Sequence, residues 1–379
     1  MKNDVIIIGG GIMGLATAYY LAKLGLKGIV FEQGYVGYGS STRNASHFRV
    51  HFWSPENTKF AIEGRRRILE FARKLNWNPL PVIGGYLWLI YDEKTLKQYK
   101  ESNKMWSSLG VPGVFMSEEQ VNEKYKYLNT DGLIAAFYGP QDGKIHHDFV
   151  TYGYYEALLK LGVKVFEHKK VSSIVVSNNS VQGIKVNGSF IEANKVVVCA
   201  GAWSNEILST INIKLPLIPE RREIGVTEPF KIIIDPLIIN TKSGVYVGQS
   251  IRGEIMGSID YPEIKGLTPL SNTLQWMSHY AKTLIELIPS LKYVKLMRIW
   301  SGYYETTPDH SHILGSDPEW PKGLYVGTGF SGHGFMMAPF AGEVLAEYIV
   351  NEKIHPLMEP YLPTRFKEEK LIKETMVIG

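Results

Sequence analysis

The sequence predicts an α/β fold, α+β overall, in which a Rossmann-like domain is interleaved with a smaller domain built on an antiparallel sheet. Three observations carry this. The chain opens with an apolar run, Asp4 to Ile8, that leads into Gly9-Gly10-Gly11-Ile12-Met13-Gly14 and then a helical pattern. Val196-Val197-Val198-Cys199 is apolar throughout, as expected of a central parallel strand. Between Leu215 and Met297 the texture changes to β-branched strands separated by turns. A chain of 379 residues is too long for one ordinary core and points to about two domains. The order of textures assigns residues 1–80, 145–212 and 295–366 to the Rossmann-like domain, 81–144 and 213–294 to the smaller one, and 367–379 to a C-terminal tail.

The elements follow from local pattern. Leu15, Ala18, Leu21, Ala22 and Leu24 recur at helical spacing, with Gly25 as the stop, and Ile29-Val30-Phe31 forms a second strand that ends on Glu32. A polar loop runs from Gly34 to Arg49. Ser54 is an N-cap and Pro55 a first-turn residue for a helix reaching Leu75. Leu80 to Tyr91 reads as a strand with a glycine interruption, followed by a helix from Glu93 to Leu109 that stops at Gly110. Ser117-Glu118-Glu119-Gln120 is a capping box. Asp148 is the expected cap of a helix through Leu161, and strands follow at Val163–Phe166, Val171–Val176, Val181–Val186 and Lys195–Cys199. Asn178-Asn179 marks a turn among them. The smaller domain is expected to use strands at Phe230–Ile234, Val245–Val247 and Glu254–Met256 and a helix at Leu274–Leu287. A last strand, Gly323 to Val326, meets a second glycine-rich turn, Gly327 to Gly334, and a helix with Phe340, Val344, Leu345, Tyr348 and Ile349 on its apolar side. The charged tail reads as a peripheral helix or a frayed end.

Composition excludes several classes of function. The formal charge is +4, and the one basic run, Arg65-Arg66-Arg67, reads as a solvated helix face, so nothing argues for nucleic acid. The single cysteine, Cys199, excludes internal disulfides and thiolate metal clusters, fits a reducing compartment and reads as core filler. Met1-Lys2-Asn3 leads straight into the first strand, leaving no room for a signal peptide, and no apolar stretch is long enough to span a membrane. A cytoplasmic location is expected. His47 and His51 have no acidic or cysteine partner nearby in sequence, and His146, His147, His310 and His312 lack ligand spacing, so no metal site is expected.

The opening unit has a chemical reading. Gly9 permits the tight turn, Gly11 lets the backbone approach a pyrophosphate, and Gly14 lets helix and strand pack closely. The helix N-terminus at Ile12 and Met13 offers N–H groups and positive charge to that pyrophosphate, and Glu32 accepts from ribose hydroxyls. This specifies ADP-ribose and leaves nicotinamide and flavin open. The second strand–glycine–helix unit, Gly327 to Gly334, favours the flavin: a helix N-terminus aimed at the ring's N1/C2=O edge stabilises negative charge on the reduced ring. The cofactor read from the pair of units is FAD.

The Gly9–Glu32 unit, the loop Gly39-Ser40-Ser41-Thr42-Arg43-Asn44, Ala200-Gly201-Ala202-Trp203 and Gly329-Phe330-Ser331-Gly332-His333-Gly334-Phe335 together resemble the D-amino-acid oxidase superfamily of FAD amine oxidoreductases. Trp300-x-Gly302-x-Tyr304-Glu305-x-Thr307-Pro308-Asp309, followed by Ile313-Leu314-Gly315, is most similar to the sarcosine oxidase β-subunit and dye-linked L-proline dehydrogenase β-subunit group. The resemblance covers residues 4 to 366. It implies oxidation of a secondary or N-methyl amino acid of the L-proline or sarcosine type. A hydride would pass from the amine-bearing carbon to flavin N5, leaving an imine, with the electrons going on to an acceptor the sequence does not name. It implies cofactor contacts from Gln33, Ser40, Ser41, Arg43, Asn44 and Ala45, from Val171, Ala200, Gly201 and Trp203, and from Gly302. Gly329, Phe330, Ser331, Gly332, His333, Gly334, Phe335 and Met336 complete the implied set.

By the same resemblance Arg49 falls where monomeric sarcosine oxidase has its substrate arginine, and a bidentate arginine suits a carboxylate. Tyr304 falls where relatives place a tyrosine or a carboxylate-binding arginine, Tyr246 is a weaker candidate, and His333 sits by the flavin. Three departures matter. Gly302 replaces the covalent-flavin cysteine of the monomeric oxidases, so FAD is expected to be non-covalent. Met336 replaces a second carboxylate-binding lysine, and the oxygen-activating lysine falls near Ile255. These favour a dehydrogenase or a slow oxidase, passing electrons to an acceptor other than or besides O2, over a fast oxygen-using enzyme. The alternatives are an oxygen-using amino-acid oxidase and a flavin-carrying electron-transfer subunit without its own substrate. A hetero-oligomer with other flavin or iron–sulfur subunits is the expected setting.

Overall fold

The computed structural model describes residues 3–262 and 264–376. The opening apolar run becomes strand Asn3–Ile8, which pairs in parallel with Gly28–Phe31 on one side and Ser189–Val198 on the other. Lys164–Phe166 and Leu324–Thr328 extend this sheet in parallel, and Ile313–Gly315 closes one edge antiparallel. Strand order therefore reverses at Asn3–Ile8. In an open parallel sheet that reversal leaves a crevice beyond the carboxyl ends of the two central strands.

The helices Ile12–Lys23, Pro55–Leu75, His147–Lys160 and Gly334–Asn351 cover one face, burying Leu15, Phe60, Phe71, Tyr154 and Phe340 in a common core. The other face is covered by the strands Val171–Ser177 and Ser180–Val186 and the short helix Ser204–Leu208. Asn178 and Asn179 join those strands with φ of 49° and 53°, the left-handed pair that a two-residue hairpin requires.

A second sheet lies beyond the crevice. Ile218–Pro229 pairs with Leu296–Thr306, Glu254–Ser258 and the short Ile264–Lys265, and the sheet continues through Tyr246–Gln249, Leu237–Asn240, Tyr86–Ile90, Ala135–Gly139 and Val114–Met116. Every pairing is antiparallel except Leu237–Asn240 with Tyr86–Ile90. Helix Leu274–Leu287 packs Trp276 and Tyr280 on one face, and helix Glu93–Ser108 packs Tyr99 and Trp106 on the other. Among the described residues no helix is long and apolar enough to cross a membrane.

Several local expectations are corrected. The textures place residues 295–366 in the Rossmann-like domain, but Leu296–Thr306 pairs with Ile218–Pro229, and the chain rejoins the first sheet only at Ile313–Gly315. Phe230–Ile234 is not a strand: the strand ends at Pro229, and the N–H groups of Ile233 and Ile234 go to Gln249 Oε1 at 2.8 and 3.0 Å. The N-cap of helix His147–Lys160 is His146, and Asp148 lies in its first turn. Arg67 is not solvated. Its guanidinium pairs with Glu63 and with Glu343 (2.5 Å) and lies 4.5 Å over the Phe340 ring. His51 does have an acidic partner, Asp142 at 3.0 Å, far away in sequence and fully buried with it. The tail is neither a peripheral helix nor frayed up to Met376: after the turns at Pro363–Phe366 it runs without regular structure and buries Ile372, Glu374 and Met376.

Candidate active site

The crevice at the strand-order reversal is a cavity of about 1790 Å³ including its mouth, walled by both sheets. At one end the glycines do what packing demands. Gly9 has φ +115°, and a Cβ there would sit 2.2 Å from the Cys199 carbonyl; at Gly14 a Cβ would sit 2.0 Å from the Gly9 carbonyl. Helix Ile12–Lys23 starts on Gly11 with no acidic residue in its first turn, so its N-terminal positive end faces the cavity. Ser41 Oγ accepts the Ile12 N–H at 2.9 Å and fixes the neighbouring loop against that helix.

Glu32 is buried at the end of the second strand. Its carboxylate accepts from Gly10 N–H (2.7 Å) and Gly34 N–H (2.8 Å), which leaves further lone pairs for ribose hydroxyls. Burial raises its pKa, with those N–H groups pulling it the other way. Lys169, Lys170 and Val171 line the same end. Cys199 lies at the wall as a thiol pushed up by burial to about 12, hence unreactive at neutral pH.

The loop from Ser40 to Ala45 forms the middle of the cavity and ties the two sheets. Ser40 Oγ donates to the Tyr303 carbonyl at 2.6 Å and accepts from the Tyr303 N–H at 3.0 Å. Arg43 Nε donates to the Tyr38 carbonyl, and Asn44 donates to the Ser41 carbonyl and accepts from Ser46 N–H, so both hold the loop's shape. Opposite, the turn before helix Gly334–Asn351 presents an N-terminus capped by His333 with no side-chain cap bond and no first-turn acid. Gly332 sits at φ +93°, and a Cβ there would meet the Tyr304 ring at 2.5 Å, so the turn packs directly on that tyrosine.

The far end is built from Arg49, Tyr304 and His333, with Tyr86, Tyr246, Arg222, Ile224 and Leu237 around them. Arg49 is 3% exposed and stacks on Phe52 at 3.9 Å. Among the described residues no carboxylate comes within ion-pair distance of it. Tyr304 is raised above the ordinary phenol pKa by burial, with Arg222 and Arg49 opposing, and Tyr246 hydrogen-bonds to it. Arg222 lies 5.5 Å from the Tyr304 ring centroid and pairs with Glu220 at 3.3 Å. His333 is held neutral by burial and by the nearby Arg49 charge, and neither of its ring nitrogens has a partner among the described residues.

This one cavity gathers the residues singled out from the sequence, except Gly14 and Gly329, which lie behind its wall; at Gly329 a Cβ would sit 2.8 Å from Thr307 Cγ2. Tyr246 lines it too, whereas Ile255 lies in the apolar core of the second sheet. Sequence reading missed Arg222, Tyr86, Lys169, Lys170 and Glu305. Glu305 stood inside a quoted motif without a role, and its carboxyl faces Gly201, with Oε1 3.7 Å from where a Cβ there would be. Burial raises its pKa to about 7. A second cavity opens alongside, sharing His47 and lined by Lys144, His146, His147, Arg252, Arg298 and Trp300.

Two helix N-termini without acids, a glycine cradle, a ribose-type carboxylate and orphaned imidazole nitrogens converge on one elongated cavity. Those donors fit a dinucleotide, and with it a cofactor-dependent oxidoreductase. Residues 4–348 match the family described as DAO, FAD dependent oxidoreductase. The chain belongs to that family, and FAD is its cofactor. It is 27% identical to the sarcosine oxidase subunit beta of Rhodobacter capsulatus, over 100% of this chain and 92% of that one. It is 25% identical to the mitochondrial sarcosine dehydrogenase of Homo sapiens, over 96% of this chain and 41% of that one. The structure of L-proline dehydrogenase from P. horikoshii superposes with a TM-score of 0.92 at 32% identity, covering 98% of this chain and 99% of that one. Glycine oxidase from Geobacillus kaustophilus shares the fold, with a TM-score of 0.88 at 21% identity over 96% of this chain and 99% of that one.

Proposed function

We propose that the protein oxidises a small secondary or N-methyl amino acid, L-proline first and sarcosine second. The observation that carries this is Arg49: a buried guanidinium in the cavity wall, stacked on Phe52, with no carboxylate within ion-pair distance among the described residues and Glu374 and Asp142 acting on it only from farther off. A buried cation held by neutral acceptors and lacking a direct ion pair is costly, and a substrate carboxylate is an anion that would relieve it. Tyr304, kept protonated by burial, supplies a further donor to the same group. Ile224 and Leu237 with the rings of Tyr86 and Tyr246 give an apolar wall suited to a pyrrolidine ring or an N-methyl group. The likeness to L-proline dehydrogenase, extending over nearly the whole of both chains, supports the same choice.

When bound, FAD would supply a two-electron acceptor for a hydride from the carbon that bears the neutral amine, leaving an iminium whose N–H proton goes to solvent to give the imine. The chain's own contribution is orientation: Arg49 and Tyr304 would fix the carboxylate, and the turn at Gly332 and His333 would help hold the cofactor's ring. His333 is neutral and too weak a base to take a proton at physiological pH. The cofactor is held non-covalently in this reading: Gly302 carries no side chain, and burial keeps the Cys199 thiol protonated.

An acceptor other than oxygen is favoured. The lysines lining the cavity, Lys169 and Lys170, lie at the Glu32 end, and Met336 stands where the monomeric oxidases have a lysine. The similar proteins named as subunits support a hetro-oligomeric setting in which further subunits carry electrons onward. The test is anaerobic mixing of the purified yellow protein with L-proline, sarcosine, glycine and D-alanine while the flavin band is followed. Bleaching by L-proline or sarcosine is expected; bleaching by none of the four would refute the reading.

A further inference from the structure

We infer that the segment Ile372–Met376 is a clamp that presets Arg49 for the substrate's carboxylate. The inference rests on the reading of Arg49 given above. The segment is anchored at both ends. Ile372 N–H donates to Asp309 Oδ2 at 3.2 Å, and Asp309 is itself locked to buried Arg365 at 2.7 Å. Glu374, 2% exposed, then gathers the start of helix Pro55–Leu75. Its Oε2 accepts from Ser54 N–H (3.1 Å), Ser54 Oγ (2.9 Å) and Asn57 Nδ2 (3.3 Å), and its Oε1 accepts from Trp53 N–H at 3.3 Å. The same Oε1 accepts the Met376 N–H at 2.7 Å, so one carboxylate fixes both the helix start and the residue that reaches Arg49.

Met376 delivers the contact. Its carbonyl accepts from Arg49 Nη2 at 2.7 Å, its sulfur lies against Nη1, and Nη1 also donates to the His51 carbonyl. A guanidinium has five N–H donors in a planar fork. The clamp and His51 use the end edge and the outer Nη1 donor. Among the described residues nothing accepts from Nε, which leaves the side edge, Nε beside Nη2, on a residue lining the cavity. That edge is the one that takes a carboxylate bidentately. Because Met376 offers neutral acceptors only, it orients the cation without neutralising it. Glu374 acts through Met376 and the helix start, and is a positioning residue.

Holding a long arginine side chain in advance saves its ordering on binding, an effect of about tenfold in affinity. The test uses the flavin-loaded protein and two probes, pyrrole-2-carboxylate and pyrrolidine, each titrated while the visible flavin spectrum reports binding. Glu374→Ala, and a chain stopped after Lys370, are each expected to weaken pyrrole-2-carboxylate about tenfold and to raise KM for L-proline in step. Binding of pyrrolidine, which has no carboxylate, should stay as in the parent. Equal losses for both probes, or no loss for either, would overturn the clamp. Should the shortened chain fail to retain flavin, Glu374→Ala and the milder Glu374→Gln decide on the same readout. Arg49→Lys separates the two ideas. If it leaves pyrrole-2-carboxylate binding intact, the reading of Arg49 fails and the clamp with it; if it weakens binding while the Glu374 variants do not, the clamp alone is wrong.

Discussion

Glu305 has its carboxyl beside Gly201 in the wall of the cavity proposed for FAD, and burial lifts its pKa from 4.5 to about 7, against the N–H groups of its own residue and Phe330. Between those two pH values the folded chain holds a proton that the unfolded chain has lost. Stability therefore falls as pH rises through that window: the full contribution is present below about 4.5 and gone above about 7. Flavin-free Glu305→Gln should show a melting temperature with a shallower decline across this range than the parent; parallel profiles would contradict the assignment. Tyr304 makes a second residue-level case. Its phenol is raised above the ordinary value, so it remains a donor at neutral and mildly alkaline pH. Replacing it with phenylalanine removes one hydrogen bond to the carboxylate, worth about 1 kcal/mol, or roughly fivefold in KM for L-proline. A KM unchanged in Tyr304→Phe would remove Tyr304 from the carboxylate site.

At the scale of elements, Arg67 shows where a helical pattern is silent. In sequence it is the third residue of a basic run, and period alone places such a run on a solvated face. In the fold its guanidinium joins helix Pro55–Leu75 to helix Gly334–Asn351 through Glu343 and the Phe340 ring. Arg67→Ala strands a partly buried Glu343 and opens that seam, so a loss of about 2–3 kcal/mol and a matching fall in melting temperature are expected. A change within error would return Arg67 to the surface. The same contrast separates what was legible from what was not. Strand–glycine–helix units are local, so Gly9, Glu32 and the turn from Gly327 to Gly334 could be read directly. Helix Leu274–Leu287 and the caps at Ser54 and Ser117 were legible because a cap is a three-residue event. The pairing of Leu296–Thr306 with Ile218–Pro229, the His51–Asp142 bond and the reach of Glu374 to Ser54 depend on partners tens to hundreds of residues away. No window of sequence contains them. Arg222 and Tyr86 were missed for the same reason: a strand side chain takes its meaning from the sheet opposite.

For the molecule as a whole, the cavity proposed for FAD is also the seam between its two sheets. Gly9, Gly11 and Glu32 come from the parallel sheet, while Arg222, Tyr246, Gly302 and Tyr304 come from the other. The protein's own ties across that seam include Ser40 with Tyr303, the two-residue pairing of His47–Phe48 with Gly143–Lys144, and the tail held by Glu374. A cofactor that touches both walls adds to these ties and binds the folded state alone. By mass action it should stabilise the protein by about 4 kcal/mol when free FAD stands a thousandfold above its Kd. Stripping the flavin and restoring it should therefore lower and then recover the melting temperature, by an amount that grows with added FAD. The loop from Ser40 to Ala45 should become the preferred site of limited proteolysis in the stripped protein, because it loses its partner on one side while keeping Ser40's bond to Tyr303 on the other. AMP alone, which reaches only the Glu32 end, should recover a small part of the shift and leave that loop open to cleavage. If AMP recovers as much as FAD, the far wall takes no part in holding the cofactor, and the seam is closed by the protein's own contacts.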